Sequence, residues 1–275
     1  MELSEVIKEA FIFPSNNLKQ LAIYIILTLI ITLLSVGGVV SIFGIASSGA
    51  YGIFSAILLI IAIIISFITI GYQISLIESG IKSQEEAPEF DFKANLITGV
   101  KALIVKIVYY IIPAIITGII AFATGVPQNF AQLITSSAEV AADTTLAENT
   151  TFANTIPANA ASALVGSLAV TATIGIILFI IFEFIALMAQ ARLANTDSLG
   201  SALHIGEAFK DIGRIGYGNV ICTVVLACLI VIIINGIVAW LGSQVPVLSI
   251  LSVIVTPYMI FFTYRVIGSL YSEIA

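Results

Sequence analysis

The chain has 275 residues, of which 60% are hydrophobic and 9% are charged, and its formal net charge is -6. A soluble domain carries charge on about a quarter of its residues, so this composition excludes a water-soluble globular protein. Apolar runs of about 20 residues are what a helix needs to cross a bilayer core of about 30 Å. We therefore expect an all-α integral membrane protein. Residues 1–275 are predicted to form a single transmembrane domain, and the lipid bilayer is its expected partner, with other membrane proteins as possible further partners.

Six apolar runs are predicted to be transmembrane helices, because helices are the spanning structure that such lengths permit. They are Leu21–Ile45, Tyr51–Leu76, Ala102–Ala123, Leu164–Met188, Val220–Trp240 and Leu248–Tyr271. Short turns join the first run to the second and the fifth to the sixth, whereas residues 124–163 form a long outer loop. This spacing predicts three helical hairpins.

The positive charges are confined to alternate connections. All ten lie before the first run, between or at the edges of the second and third, between the fourth and fifth, or near the end of the sixth: Lys8, Lys19, Lys82, Lys93, Lys101, Lys106, Arg192, Lys210, Arg214 and Arg265. Loops rich in Lys and Arg stay in the cytoplasm. The pattern predicts a multi-pass plasma-membrane protein with both termini cytoplasmic. The outer loop contains a glycosylation sequon at Asn149.

A short motif recurs before three of the runs. Each copy begins Glu-Ala, at Glu9, Glu86 and Glu207, and continues with a phenylalanine within four residues and a polar stretch. We interpret the copies as a threefold repeat in which each hairpin follows a cytoplasmic interfacial segment, with a chance match of a two-residue anchor as the alternative.

The third copy has the clearest amphipathic pattern. Ile205, Phe209 and Ile212 share one face of a helix, and Asp211 and Arg214 fall on another. A helix with an apolar face and a charged face is suited to lie along the headgroups. We expect the charged face to be in water.

Glu183 is the carboxylate that lies well inside a predicted span, and an ionisable group there costs about 2.5–3.5 kcal/mol at the centre of the bilayer. Lys106 and Arg265 lie in the inner halves of two other spans. Glu183 is either a site for a proton, a cation or a cationic substrate, or one half of an ion pair with Lys106 or Arg265. We favour the ion pair.

Pro113 and Pro257 lie inside the third and sixth runs. Proline removes a backbone donor and kinks a helix. Such kinks are common in membrane helices, and the alternative is that a freed carbonyl coordinates an ion.

No reaction is indicated by the residues present. His204 is the single histidine, so a histidine-based zinc site has no ligand set, and we expect no metal, no cofactor and no catalytic residue. Nucleotide-binding loops and basic patches for nucleic acid are missing from the sequence as well. The protein is expected not to be an enzyme.

Three stretches resemble an uncharacterised family of archaeal multi-pass membrane proteins, domain of unknown function 4013. They are "EAFIFP" from Glu9, "APEFDF…ITGVKALIV" from Ala87 and "EAFKDIGRIGYGN" from Glu207. Ala10, Phe11 and Pro14 fit the family's entry, Pro88 and Phe90 fit its loop, and Ala208 and Phe209 fit its last segment. Val100 departs from the pattern, because it separates Gly99 from Lys101. The resemblance implies an archaeal plasma membrane and no activity.

Two classes of function remain open. The first is a membrane scaffold or accessory subunit that packs against lipid or other membrane proteins. The second is a small transporter or channel with its site near Glu183. Few buried charges, no nucleotide motif and the interfacial segments favour the first.

The predicted topology can be tested by labelling single cysteines with a membrane-impermeant maleimide, in a chain whose Cys222 and Cys228 are replaced by alanine. Asn149→Cys should react in intact cells, since it lies in the outer loop. Glu89→Cys should react after permeabilisation alone. The reverse pattern would contradict the predicted orientation.

Overall fold

The computed structural model describes the backbone of residues 3–44, 49–142 and 158–275. This part of the chain is helical and contains no strand, which confirms the all-α class. The helices are α1 (Leu3–Asn16), α2 (Leu18–Gly44), α3 (Gly49–Ile81), α4 (Phe92–Ala123), α5 (Val126–Ala142), α6 (Ala158–Thr196), α7 (Leu199–Ala202), α8 (Ile205–Ile215), α9 (Tyr217–Gln244) and α10 (Ser252–Tyr271). A 3-10 helix, Pro246–Leu251, connects α9 to α10. The sequon at Asn149 lies outside the described residues.

Six helices are long and apolar enough to cross a membrane, as the sequence predicted. Their apolar stretches are Leu18–Val39, Gly52–Ile81, Phe92–Ala123, Ala158–Thr196, Tyr217–Gln244 and Pro246–Tyr271. Two of them are much longer than the predicted runs, because polar residues continue the helix at their ends. The 32 residues of α4 span about 48 Å, well beyond a bilayer core of about 30 Å.

The chain packs as two compact units. The larger unit comprises Met1–Lys106 and Ile185–Ala275, and the smaller unit comprises Ile107–Phe184. Helices α4 and α6 contribute residues to both. The single domain over residues 1–275 stays a prediction.

Helix α10 is central to the larger unit, where it packs against α1, α2, α3 and α9. It meets α3 at two glycines. A Cβ on Gly268 would lie 2.2 Å from the carbonyl oxygen of Ile77, and one on Gly80 would lie 2.8 Å from the Cα of Gly268. Small residues allow membrane helices to approach backbone to backbone, so this pair determines how closely α3 and α10 pack.

A second close contact joins α3 to the first part of α4. A Cβ on Gly71 would lie 1.8 Å from the carbonyl oxygen of Asn95, and one on Gly99 would lie 1.9 Å from that of Phe67. Each helix therefore presents a glycine to the other's backbone. The contact orients the start of α4 on α3.

The three Glu-Ala copies differ in conformation but share one environment. Two of them lie in the helices α1 and α8, whereas the second lies in a non-helical segment between α3 and α4. The alanines Ala10, Ala87 and Ala208 are all buried. The repeat, the hairpins and the interfacial position of the segments stay predictions.

The second copy is not a helix because Pro88 disfavours helical geometry at the residue before it. The side chain of Asn17 stabilises it instead. The Asn17 amide donates to the carbonyl of Glu85 at 3.2 Å, and its oxygen accepts from the backbone N–H of Ala87 at 2.7 Å. Tyr72 holds the same segment by donating to the carbonyl of Pro88 at 2.9 Å.

The glycine contact between α3 and α10 predicts a strong effect of one methyl group. Gly268→Ala should lower the free energy of unfolding by about 1–3 kcal/mol, since the added Cβ meets backbone that cannot rotate away. Thermal unfolding of the purified protein in detergent measures the change. Gly236→Ala in α9 is the matched control, because nothing lies within 4 Å of a Cβ there. Equal melting temperatures for both variants would contradict this account.

Candidate functional site

A groove runs between α4 and α6 in the smaller unit, with a volume of about 520 Å³. It is lined by Tyr110, Thr117, Ala172, Gly175, Ile176, Phe179, Ile180 and Glu183. Most of these side chains are apolar, and several are exposed along the outer surface of α6. The groove therefore has a hydrocarbon-like wall with polar groups concentrated towards the Glu183 end.

Contacts beyond the groove hold α4, α5 and α6 in place. A Cβ on Gly175 would lie 2.9 Å from the Cγ2 methyl of Thr117, so the glycine allows the two helices to approach. Further along, the hydroxyls of Thr124 and Thr171 are hydrogen-bonded at 2.8 Å. The Asn129 amide donates to the Ser167 hydroxyl at 3.1 Å. Such interhelical hydrogen bonds stabilise membrane helices, each by up to about 1–2 kcal/mol.

Glu183 is half-buried at one end of the groove, where the hydroxyl of Tyr110 donates a hydrogen bond to its Oε2. Residues 107–184 contain no lysine, arginine or histidine. Within its own unit, the carboxylate therefore has a neutral donor and no cation. An ionised carboxylate among apolar groups is costly unless it is paired, so this end of the groove favours a proton or a positively charged group.

Aromatic rings flank the same carboxylate. Phe179 precedes Glu183 by one turn of α6, and its ring centroid lies 6.2 Å from that of Tyr110. The negative faces of aromatic rings attract cations within about 6 Å. The acid, the phenol and the phenyl ring therefore share a preference for positive charge.

Arg265 has a different partner from the one expected. Its Nε and Nη2 donate to the carboxylate of Glu9 in α1, with the Nε bond at 3.0 Å, and its Nη1 donates to Ser79 at 3.4 Å. The guanidinium also lies 4.4 Å from the ring centroid of Phe13. Helix α1 packs on α10 and brings Glu9 to the arginine. Glu183 belongs to the other unit, so its proposed pair with Arg265 stays a prediction. The Glu183–Lys106 pair joins residues of different units and stays a prediction.

The proline positions are as expected within continuous helices. Pro113 lies inside α4, one turn from Tyr110, and Pro257 lies inside α10. Pro257 also lines a second groove, of about 290 Å³, which has Thr28 and Thr32 on its other wall. Both prolines are buried against neighbouring helices.

Asp211 in α8 is the polar residue that sequence reasoning placed wrongly. It was expected on a wet face, yet it is fully buried. Arg192 and Arg214 each donate to it at 2.7 Å, and the hydroxyl of Tyr271 donates at 3.1 Å. Phe209, expected on the apolar face of a helix that lies along the headgroups, is exposed in the structure. The local spacing of Asp211 and Arg214 was visible in the sequence, but nothing in it indicated the distant Arg192.

The exposed edge of α8 is an ion-pair network. Lys210 donates to Glu207 at 2.8 Å, and Arg214 donates to the same carboxylate at 3.2 Å. The hydrogen bond from Lys210, with the added attraction of Arg214 and Arg192, holds the pKa of Glu207 below its usual range. This carboxylate therefore remains ionised at neutral pH.

None of these arrangements is a catalytic constellation. Among the residues that the structure describes, no three His, Cys, Asp or Glu side chains are grouped to bind a metal ion. Glu183, with its aromatic neighbours and its apolar groove, is the feature that could bind a ligand by charge. Arg265 and Asp211 are engaged in holding helices together.

The ion pair of Arg265 predicts the effect of neutralising its partner. Glu9→Gln should lower the free energy of unfolding by about 1–3 kcal/mol, since Arg265 is buried and loses its charged acceptor. The cost is smaller than for a fully buried pair, because the Glu9 side chain is 41% exposed. Glu5→Gln, at an exposed position of the same helix, is the control for thermal unfolding. A Glu9→Gln protein as stable as this control would show that the pair contributes nothing.

Comparison with known proteins relates the central part of the chain to one family. The family model described as Protein of unknown function (DUF4013) matches residues 54–243. The match includes the Pro88 loop and the Ala208-Phe209 segment, and it begins after the entry at Ala10. No curated protein and no solved structure matches the chain. Since the match covers more than half of the chain, this membrane-type helical protein belongs to the DUF4013 family of proteins of unknown function.

Proposed function

We propose that the protein is a membrane scaffold or accessory subunit that holds a lipid chain in the groove between α4 and α6. The observation that carries this proposal is the groove's apolar wall, formed by residues such as Ala172, Ile176 and Ile180. An alkyl chain in such a groove takes the place of loosely packed lipid tails, so no transfer from water contributes to its binding. Its packing in the bilayer rests on van der Waals contact.

The setting that we propose is the plasma membrane of an archaeon, with both termini in the cytoplasm. The charge distribution supports this orientation, since the ends of the spans that carry Arg192 and Arg265 also carry the lysines. We propose no enzymatic activity. Other membrane proteins are the candidate partners, and nucleic acid is not.

A second candidate function is transport, and Glu183 is the observation that favours it. Among the described residues of the smaller unit, Tyr110 is the hydrogen-bond donor to this carboxylate, and carboxylates inside spans are groups that membrane transporters use for protons or cations. Proteoliposomes that contain the wild-type protein and the Glu183→Gln variant distinguish this function. Cation or proton flux that the variant loses would favour transport over a static scaffold.

Native mass spectrometry of the protein, purified gently from its own membranes, tests the lipid-holding function. We expect lipid at a fixed stoichiometry on the wild-type protein, and its loss from Ala172→Phe, whose ring fills the groove. Ala169→Phe is the matched control, because Ala169 is exposed on the same helix outside the groove. Equal lipid occupancy in both variants would exclude the groove as the site. A co-purifying protein at fixed stoichiometry would identify the partner of an accessory subunit.

A further inference from the structure

We propose that the Glu183 end of the groove binds the ammonium group of a lipophilic amine, while the alkyl chain of the same molecule lies along the groove. This inference rests on the proposed function, because it assumes that the groove holds a chain. It adds the chemical class of the ligand. Four features of the groove support this class: the charge at one end, the rings beside it, the length of the apolar wall and the depth of the carboxylate.

The charge is the first step. An ionised carboxylate accepts about four hydrogen bonds, and the structure gives Glu183 one from the Tyr110 hydroxyl. No basic residue lies at positions 107–184, so no cation of this unit can complete the set, and Lys106, one turn before Tyr110 in α4, is the first basic residue outside the unit. An ammonium group supplies both the missing charge and the missing donors. An anion would instead be repelled by the carboxylate and by the oxygen lone pairs of Tyr110, whose hydroxyl hydrogen is already donated to Glu183.

The rings are the second step. Tyr110 and Phe179 lie beside the carboxylate with centroids 6.2 Å apart and planes at 33°. Their faces attract an alkylammonium group, and the attraction is strongest where water is excluded. A neutral alcohol would gain neither the ion pair nor this contact. The site therefore discriminates by charge rather than by hydrogen bonding alone.

The length of the groove is the third step. From Glu183 to Ala172, α6 rises by about 16 Å at 1.5 Å per residue. The wall between them is formed by Ile180, Ile176 and Gly175. This is long enough for an alkyl chain of medium length. A small hydrophilic cation would leave most of that wall uncovered.

The depth of Glu183 excludes an ordinary phospholipid headgroup. Glu183 precedes Arg192 in the same helix by nine residues, or about 13 Å along the axis. If Arg192 lies at the membrane surface, a phospholipid amine could reach Glu183 only by drawing its phosphate into the hydrocarbon. A singly positive amine without a phosphate meets no such cost. The ligand class is therefore the long-chain amine, not the zwitterionic lipid.

Binding of radiolabelled dodecyltrimethylammonium to the full chain in nanodiscs of zwitterionic lipid tests the inference, with empty nanodiscs as the blank. Unlabelled dodecylamine, dodecanol and dodecanoate are the competitors. We expect saturable binding to the wild-type protein, with dodecylamine as the strongest competitor. Glu183→Gln should weaken binding of the quaternary ammonium probe about tenfold or more, since the charge attraction between the carboxylate and the probe is lost, and should leave competition by dodecanol unchanged.

Two variants distinguish a failure of this inference from a failure of the proposed lipid-holding function. Glu89→Gln removes an exposed carboxylate of the larger unit that does not line the groove between α4 and α6, and this variant should bind like the wild-type protein. Ala172→Phe should bind none of the dodecyl compounds. If dodecyl chains bind and Ala172→Phe abolishes binding, but Glu183→Gln has no effect on the ammonium probe, the inference fails and the lipid-holding function stands. If no dodecyl compound binds the wild-type protein, the proposed function fails with it.

A stability measurement distinguishes ligand binding by Glu183 from a purely structural role of this residue. The Glu183→Gln protein should elute as a single species and melt close to the wild-type protein. Lys106→Met should leave ammonium affinity unchanged. A large and equal loss of melting temperature in Glu183→Gln and Lys106→Met, with no change in ammonium affinity in either, would assign Glu183 to an ion pair with Lys106 and overturn the inference.

Discussion

Helices α3 and α10 meet where neither has a side chain, and the larger unit is organised around that contact. Gly80 and Gly268 allow the two backbones to approach until a single Cβ would collide with a carbonyl oxygen. Arg265 lies one turn before Gly268, so its guanidinium is carried into the interface beside Ser79. Glu9 and Phe13 of α1 then neutralise and cover the charge. In this way, one close approach between helices links the two ends of the described chain.

The two units differ in how their charged side chains are paired. Every lysine and arginine of the chain belongs to the larger unit, where Asp211 and Glu9 are both paired with arginine. A buried charge without its partner costs several kcal/mol, so these pairs keep the larger unit specific in its packing. The smaller unit has no basic residue, and its helices are joined by hydroxyls and amides instead. Glu183 therefore stands out in the smaller unit and leaves a charge that a ligand can satisfy.

Sequence reasoning found the ionisable residues but not their partners. The rarity of carboxylates inside apolar runs was enough to select Glu183, and the charge of Arg265 was equally visible. Their actual contacts were not, because Glu9 and Arg265 are separated by 256 positions and no local pattern relates them. The same reason explains Asp211, whose burial depends on Arg192 and Tyr271 reaching it from other helices. Tyr110 was not related to Glu183 either, since the two residues are 73 positions apart in the chain.

By itself, the sequence determined the class of the protein, its six apolar helices and the membership of its central part in a family. These properties follow from composition and run length, because a bilayer leaves helices as the way to satisfy the backbone. The ends of the helices were less well determined, since polar residues extend α4 and α6 past the apolar runs. Only the tertiary structure decided which glycines meet, which carboxylate neutralises Arg265, and that Glu183 faces an apolar groove beside Tyr110. Those outcomes depend on how helices rotate and approach in three dimensions, which periodicity within one helix does not specify.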